Sequence, residues 1–139
     1  MKKVVSVNVP KNKVWSKVSQ IVNLSWVVDV KNTIFLSKIK TGNGAIRKIM
    51  FTDGNAVEEH IVGWKKGEYF SYIAVSGLPL RAYHATISLK PKGKNSTQIM
   101  WQSYFNSQKM TKKEFAEFVT FIGSFYSNSL KNLKASLEK

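Results

Sequence analysis

The segment spanning residues 111–137, TKKEFAEFVTFIGSFYSNSLKNLKASL, carries the strongest local signals in the chain. Thr111 and Glu114 stand three apart, the spacing at which a threonine hydroxyl and a glutamate carboxylate each accept the other's backbone N–H, and Met110 and Phe115 flank them as a hydrophobic staple. A helix is therefore predicted to start at Thr111. Phe115, Phe118, Val119, Phe121, Ile122, Phe125, Tyr126, Leu130, Leu133 and Leu137 then recur with a period near 3.6 over half the helix circumference, so that face is predicted to be buried. At about 1.5 Å per residue, roughly 27 residues make a rod of about 40 Å, long enough to cross a whole sheet. Lys131, Lys134 and Lys139 lie at its negative end.

Upstream of this helix the hydrophobic period is mostly two. Val5, Val7 and Val9 alternate with Ser6 and Asn8 as in a half-buried strand, which ends at Pro10. Pro10 suits the first position of a helix, and Val14, Val18 and Ile21 follow at helical spacing with Trp15 beside them. A pair of short helices is predicted to run to Trp26. Six strands are then predicted over 28–39, 45–52, 56–65, 69–76, 81–90 and 97–105. Turn-formers separate them: Thr41-Gly42-Asn43-Gly44, Asp53-Gly54-Asn55, Lys66-Gly67, Gly77-Leu78-Pro79 and Pro91-Lys92-Gly93-Lys94-Asn95. Connections this short imply antiparallel neighbours. With no repeat or long linker, residues 1–139 read as a single domain.

The totals bound the function classes. A chain of 139 residues, 43% hydrophobic and 12% aromatic, can bury a real core. It has no cysteine, which excludes disulfides, a thiolate nucleophile and a cysteine metal cage. The net charge of +14 invites nucleic acid or anionic lipid as a partner. The lysines are scattered, however, and Arg47 and Arg81 are the only arginines, whereas sequence-reading nucleic-acid modules lean on arginine forks. Nucleic acid is disfavoured; a solvated lysine-rich surface, with weak association with anionic membrane, is the expectation. The start, Met1-Lys2-Lys3-Val4-Val5-Ser6-Val7-Asn8, has no continuous apolar run of secretory type, which gives a cytoplasmic expectation.

Strand parity places the side chains. Tyr83, Ala85, Ile87 and Leu89 form one inward set, Ile99, Trp101, Ser103 and Phe105 a second, and Phe70, Tyr72 and Ala74 a third. Val57, Glu59 and Ile61 share a face, which carries a carboxylate into an apolar interior, where an unpaired charge is costly. A three-residue loop at Asp53-Gly54-Asn55 would set Glu59 on the same side as Arg47, whose face also carries Ile49 and Phe51; a two-residue loop would instead pair it with Lys48. His60 and His84, the two imidazoles, fall on the outer face, so no metal site, resident cofactor or histidine base is expected.

The order of one strand, two short helices, six strands and one long helix resembles the START-like, or Bet v 1-like (SRPBCC), superfamily, in its polyketide cyclase/dehydrase branch. The resemblance covers the whole chain. It is carried by Pro10 and Trp15, Leu24 and Trp26, Gly44 and Arg47, and Asp53-Gly54 with Glu59. Tyr69 and Tyr72, Leu78-Pro79 with Tyr83, Trp101 and Phe105, and Leu130 with Leu133-Lys134 complete the set.

It implies an α+β helix-grip fold, with a seven-stranded curved antiparallel sheet wrapped around the C-terminal helix and a cavity between them. The family pattern puts Arg47 and Glu59 on the concave side, which favours Arg47 over Lys48 as the partner. The ligand-facing residues it implies are Trp26, Arg47, Ile49, Phe51, Glu59 and Tyr72, then Pro79, Tyr83, Trp101, Ser103 and Phe105 from the later strands, and Phe118, Phe121, Ile122 and Phe125 from the helix. Leu78 to Arg81 would form a lip over the mouth.

The expected function is binding, as carrier or sensor, of a small hydrophobic molecule such as a lipid, isoprenoid or polyketide-like compound. A cyclase or dehydrase using the same cavity, with Glu59, Tyr72 and Arg47 as catalytic candidates, is the alternative. A basic module docking to anionic membrane or RNA is a third reading.

Overall fold

The computed structural model describes residues 1–139, and its elements follow in the order β1 (Lys2–Val7), α1 (Lys11–Val18), β2 (Val30–Phe35), β3 (Ile46–Phe51), β4 (Ala56–Lys65), β5 (Tyr69–Ser76), β6 (Ala82–Gly93), β7 (Ser96–Asn106) and α2 (Lys112–Leu137). The capping box forms as its spacing predicts. The Thr111 N–H donates to Glu114 Oε1 at 2.9 Å, and the Glu114 N–H donates to Thr111 Oγ1 at 3.1 Å. These bonds hold Glu114 below its usual carboxylate range.

The seven strands make one antiparallel sheet in the order β1-β7-β6-β5-β4-β3-β2. Short turns leave each strand from β2 to β7 beside its sequence neighbour, and β1 closes on β7. Register shifts interrupt the β4–β5 ladder between Glu58 and Glu59 and between Ile61 and Gly63. Bulges of this kind bend a strand and raise its twist, and they curve the middle of the sheet. α2 packs on β1 and inserts Ile122, Tyr126, Leu130 and Leu133 into a core shared with Val7, Ile99, Phe70 and Ile87. Each such buried side chain is worth about 1.5–3 kcal/mol relative to exposure. No helix is long and apolar enough to cross a membrane.

Three local departures from the sequence reading have physical causes. Residues 19–29, where the second short helix is expected, run as consecutive turns after α1 ends at Val18. Asn23 and Ser25 favour local bonding over a helical ladder, and Asn23 Nδ2 does bond Gln20 Oε1 at 3.2 Å. β2 is shorter than residues 28–39, because the Ile46 N–H donates to Ser37 Oγ at 2.9 Å just beyond its end. Finally, the apolar face of α2 is not wholly covered: Phe121 is 60% exposed.

Candidate functional site

Between the concave sheet and the N-terminal half of α2 lies a cavity of about 280 Å³, and 17 of its 24 lining residues are hydrophobic. That volume is at the small end of the range for ligand pockets, about 300–1,000 Å³. Of the residues the sequence reading assigned to a ligand, Trp26, Arg47, Ile49, Phe51, Glu59, Tyr72, Pro79, Tyr83, Trp101, Phe118, Phe121, Ile122 and Phe125 line it. Ser103 and Phe105 do not. Ser103 is fully buried elsewhere in the core, and Phe105 packs against Tyr83, Phe115 and Phe118.

Most of the buried polar groups of the wall form a paired network. β3 and β4 set Arg47 directly opposite Glu59 and Met50 opposite Ala56, so five residues, 51–55, lie between the last pair and not three; the odd number still keeps Arg47 and Glu59 on one face, and Lys48 stands opposite Glu58. Arg47 Nη2 lies 2.8 Å from Glu59 Oε1, and Arg47 Nε donates to the same oxygen at 3.0 Å. Arg47 Nη1 donates to the Ile21 carbonyl at 2.7 Å, tying the pair to the turn segment. The guanidinium also stacks 4.9 Å from the Tyr72 ring, within cation–π range. Tyr72 Oη in turn accepts from Trp101 Nε1 at 3.0 Å. Farther along, the hydroxyls of Tyr83 and Tyr126 bond each other.

Burial dominates the electrostatics. Arg47 is 3% and Glu59 6% exposed. Desolvation raises the Glu59 carboxyl above its usual range, and the attraction of Arg47 opposes the rise without cancelling it. Tyr72 and Tyr83 are pushed well above the phenol range by burial, and Tyr126 is pushed up to about 12 for the same reason. His60 bonds Glu58 on the sheet's other face at 2.7 Å, and His84 is exposed, so neither imidazole shares the cavity.

Sequence reasoning missed several wall residues. Tyr126 was read only as part of the buried helical stripe, and its line with Phe118, Ile122 and Phe125 was the available signal. Leu24, Val27 and Asp29 arrive from the turn segment, which follows no period that could have exposed them. Ser129 and Asn132 of α2 hold that segment in place. The Val28 N–H donates to Ser129 Oγ at 3.0 Å, and Asn132 Nδ2 donates to the Trp26 carbonyl at 3.3 Å.

A helix-grip sheet closed by a long helix over an apolar cavity defines a class of small-molecule-binding folds. The chain belongs to the family described as "Polyketide cyclase / dehydrase and lipid transport", which matches residues 1–138. It is similar in fold to XoxI from Bacillus cereus, with a TM-score of 0.84 at 18% identity over 99% of this chain and 94% of that one. An uncharacterised protein from Bacillus thuringiensis matches with a TM-score of 0.84 and 18% identity, covering 100% and 98% of the two chains. A protein from Nitrosospira multiformis matches at 0.82 and 18%, covering 99% and 94%. No curated protein sequence matches the chain.

Proposed function

We propose that this chain is a non-enzymatic carrier or sensor, acting in the cytoplasm, that holds one small hydrophobic molecule between its sheet and α2. The carrying observation is the cavity itself, whose wall is mostly hydrophobic and whose few polar groups are largely bonded to one another. Such a wall offers an apolar body a dry environment and keeps polar contacts few. Family membership supports the reading through its lipid-transport half. Extraction of the purified protein with organic solvent, followed by mass spectrometry, is expected to release an apolar compound at near one per chain. A protein that yields none and fails to take up neutral hydrophobic dyes contradicts the reading.

A cyclase or dehydrase is the second reading, favoured by one observation: the Glu59 carboxyl is raised by burial beside Tyr72, as a proton-transfer group would need. It predicts that Glu59→Gln and Tyr72→Phe lower turnover of a polyketide-like substrate and leave its affinity nearly intact. Docking of the +14 surface to anionic membrane is a subsidiary part of the carrier reading, and it predicts binding to anionic vesicles that weakens steeply with added salt.

A further inference from the structure

We propose that the indole N–H of Trp26 is the specificity-determining donor of this cavity, selecting uncharged apolar ligands that carry a hydrogen-bond acceptor, such as a ketone or ester carbonyl, over carboxylates. The proposal rests on the ligand-binding reading above and narrows it to a chemical class.

Trp26 lines the cavity and is 3% exposed, yet its Nε1 has no acceptor within the protein. The other buried N–H donors of the wall differ in this respect: Arg47 is committed to Glu59 and the Ile21 carbonyl, and Trp101 Nε1 to Tyr72. A buried donor without a partner is costly, and a ligand acceptor that meets it recovers that cost, whereas a ligand lacking the acceptor leaves it in place. The ring is also held ready. Its backbone carbonyl accepts from Asn132, and its ring packs edge-on against Trp101 with centroids 5.7 Å apart. A donor fixed before binding loses little freedom on bonding a ligand.

Charge separates neutral ligands from anions. Of 22 lysines and arginines only Arg47 lines the cavity, and its charge is already matched by Glu59. The chain's two aspartates, Asp29 and Asp53, both lie at the exposed rim of the same cavity. A carboxylate would thus pass two like charges and reach no unmatched cation, while losing its hydration. A carbonyl oxygen meets neither obstacle.

The test is displacement of the neutral dye N-phenyl-1-naphthylamine by 2-nonanone, nonanoate and nonane at neutral pH, in the unsubstituted protein and in Trp26→Phe. The ketone is expected to compete at least about tenfold more strongly than nonanoate, and Trp26→Phe to weaken the ketone by about three- to tenfold relative to nonane. In the unsubstituted protein with 15N-labelled indoles, the N–H resonance of the ring in contact with Trp101 is expected to move downfield on adding the ketone; this readout stands if the variant fails to fold. Nonanoate competing as well as the ketone, an unchanged ketone-to-nonane ratio in Trp26→Phe, or an unmoved indole resonance would each overturn the proposal while leaving the carrier reading intact. Failure of the dye and all three compounds to bind would overturn both.

Discussion

Arg47 and Glu59 face each other across β3 and β4 with Nη2 and Oε1 2.8 Å apart, both nearly inaccessible to water and both in the wall of an apolar cavity. Their charges cancel, so the pair adds polarity to the wall without adding net charge. The same guanidinium reaches the Ile21 carbonyl and the Tyr72 ring, so one side chain joins the sheet to the turn segment and to the aromatic wall.

Removing Arg47 alone strands a buried carboxyl. Arg47→Met is expected to destabilise the fold by about 3–5 kcal/mol, and adding Glu59→Met is expected to recover most of that loss, because burying a paired charge gains little over burying apolar groups. Urea unfolding with an unchanged slope measures both. A double variant as unstable as the single one would mean that Arg47 stabilises chiefly through Ile21 and Tyr72.

Glu59 gives stability an identifiable pH dependence. Its folded pKa is raised above 4.5, chiefly by burial, so the folded state binds the proton more tightly than the unfolded chain does. Its contribution is therefore full below pH 4.5 and is lost as pH rises through the raised folded value. The stability of the unsubstituted protein relative to Glu59→Gln is expected to fall as pH rises from acid to neutral, measured by urea unfolding across that window. A difference that grows with pH would show the ion pair outweighing burial.

The tyrosine pair is open to spectroscopy. Tyr126 is expected to ionise at about 12, and Tyr126→Phe should remove that step from an ultraviolet titration. The same substitution leaves the Tyr83 hydroxyl without its partner and is expected to cost about 1 kcal/mol. A Tyr126 step in the ordinary phenol range would place that hydroxyl in water.

Gly77 fixes the lip of the cavity. Its φ is +97°, and a Cβ there would lie 2.0 Å from the Ala56 carbonyl oxygen, while Asn55 Nδ2 donates to the Gly77 carbonyl at 3.1 Å. Gly77→Ala is expected to destabilise by more than about 1 kcal/mol and to weaken dye binding, because Leu78 and Pro79 beside it line the cavity. Full stability and affinity in this variant would show that the lip is free of the β3–β4 turn.

Most of the fold was legible because its signals are local. Thr111 and Glu114 mark the start of α2 by spacing alone, and period-two runs such as Tyr83-Ala85-Ile87-Leu89 mark both a strand and its inner face. Arg47 opposite Glu59 needed one more choice, the length of the β3–β4 connection; the family pattern put the two residues on one face, as they are, but the last pair encloses five residues, 51–55, and not the three of Asp53-Gly54-Asn55. Legibility ended where position depends on tertiary contact. Val27 and Asp29 reach the wall only because Ser129 and Asn132 bind the turn segment from a distant helix. Ser103 and Phe105 share the strand parity of Trp101, yet the cavity stops short of them, and parity assigns a face without giving an extent along it. Phe121 belongs to the apolar stripe but projects at the cavity's open side, where no sheet residue covers it fully.

A carrier requires the space between sheet and helix to be a binding cavity rather than loosely packed core. Substitution of Val57, a buried wall residue, by phenylalanine tests it most directly when stability and uptake of N-phenyl-1-naphthylamine are measured on the same samples. The unsubstituted protein is expected to bind the dye at one site, and Val57→Phe to abolish binding with little loss of stability, since the added ring fills existing space. No dye uptake by the unsubstituted protein, together with the loss of about 1–3 kcal/mol typical of overpacking a filled core, would contradict it.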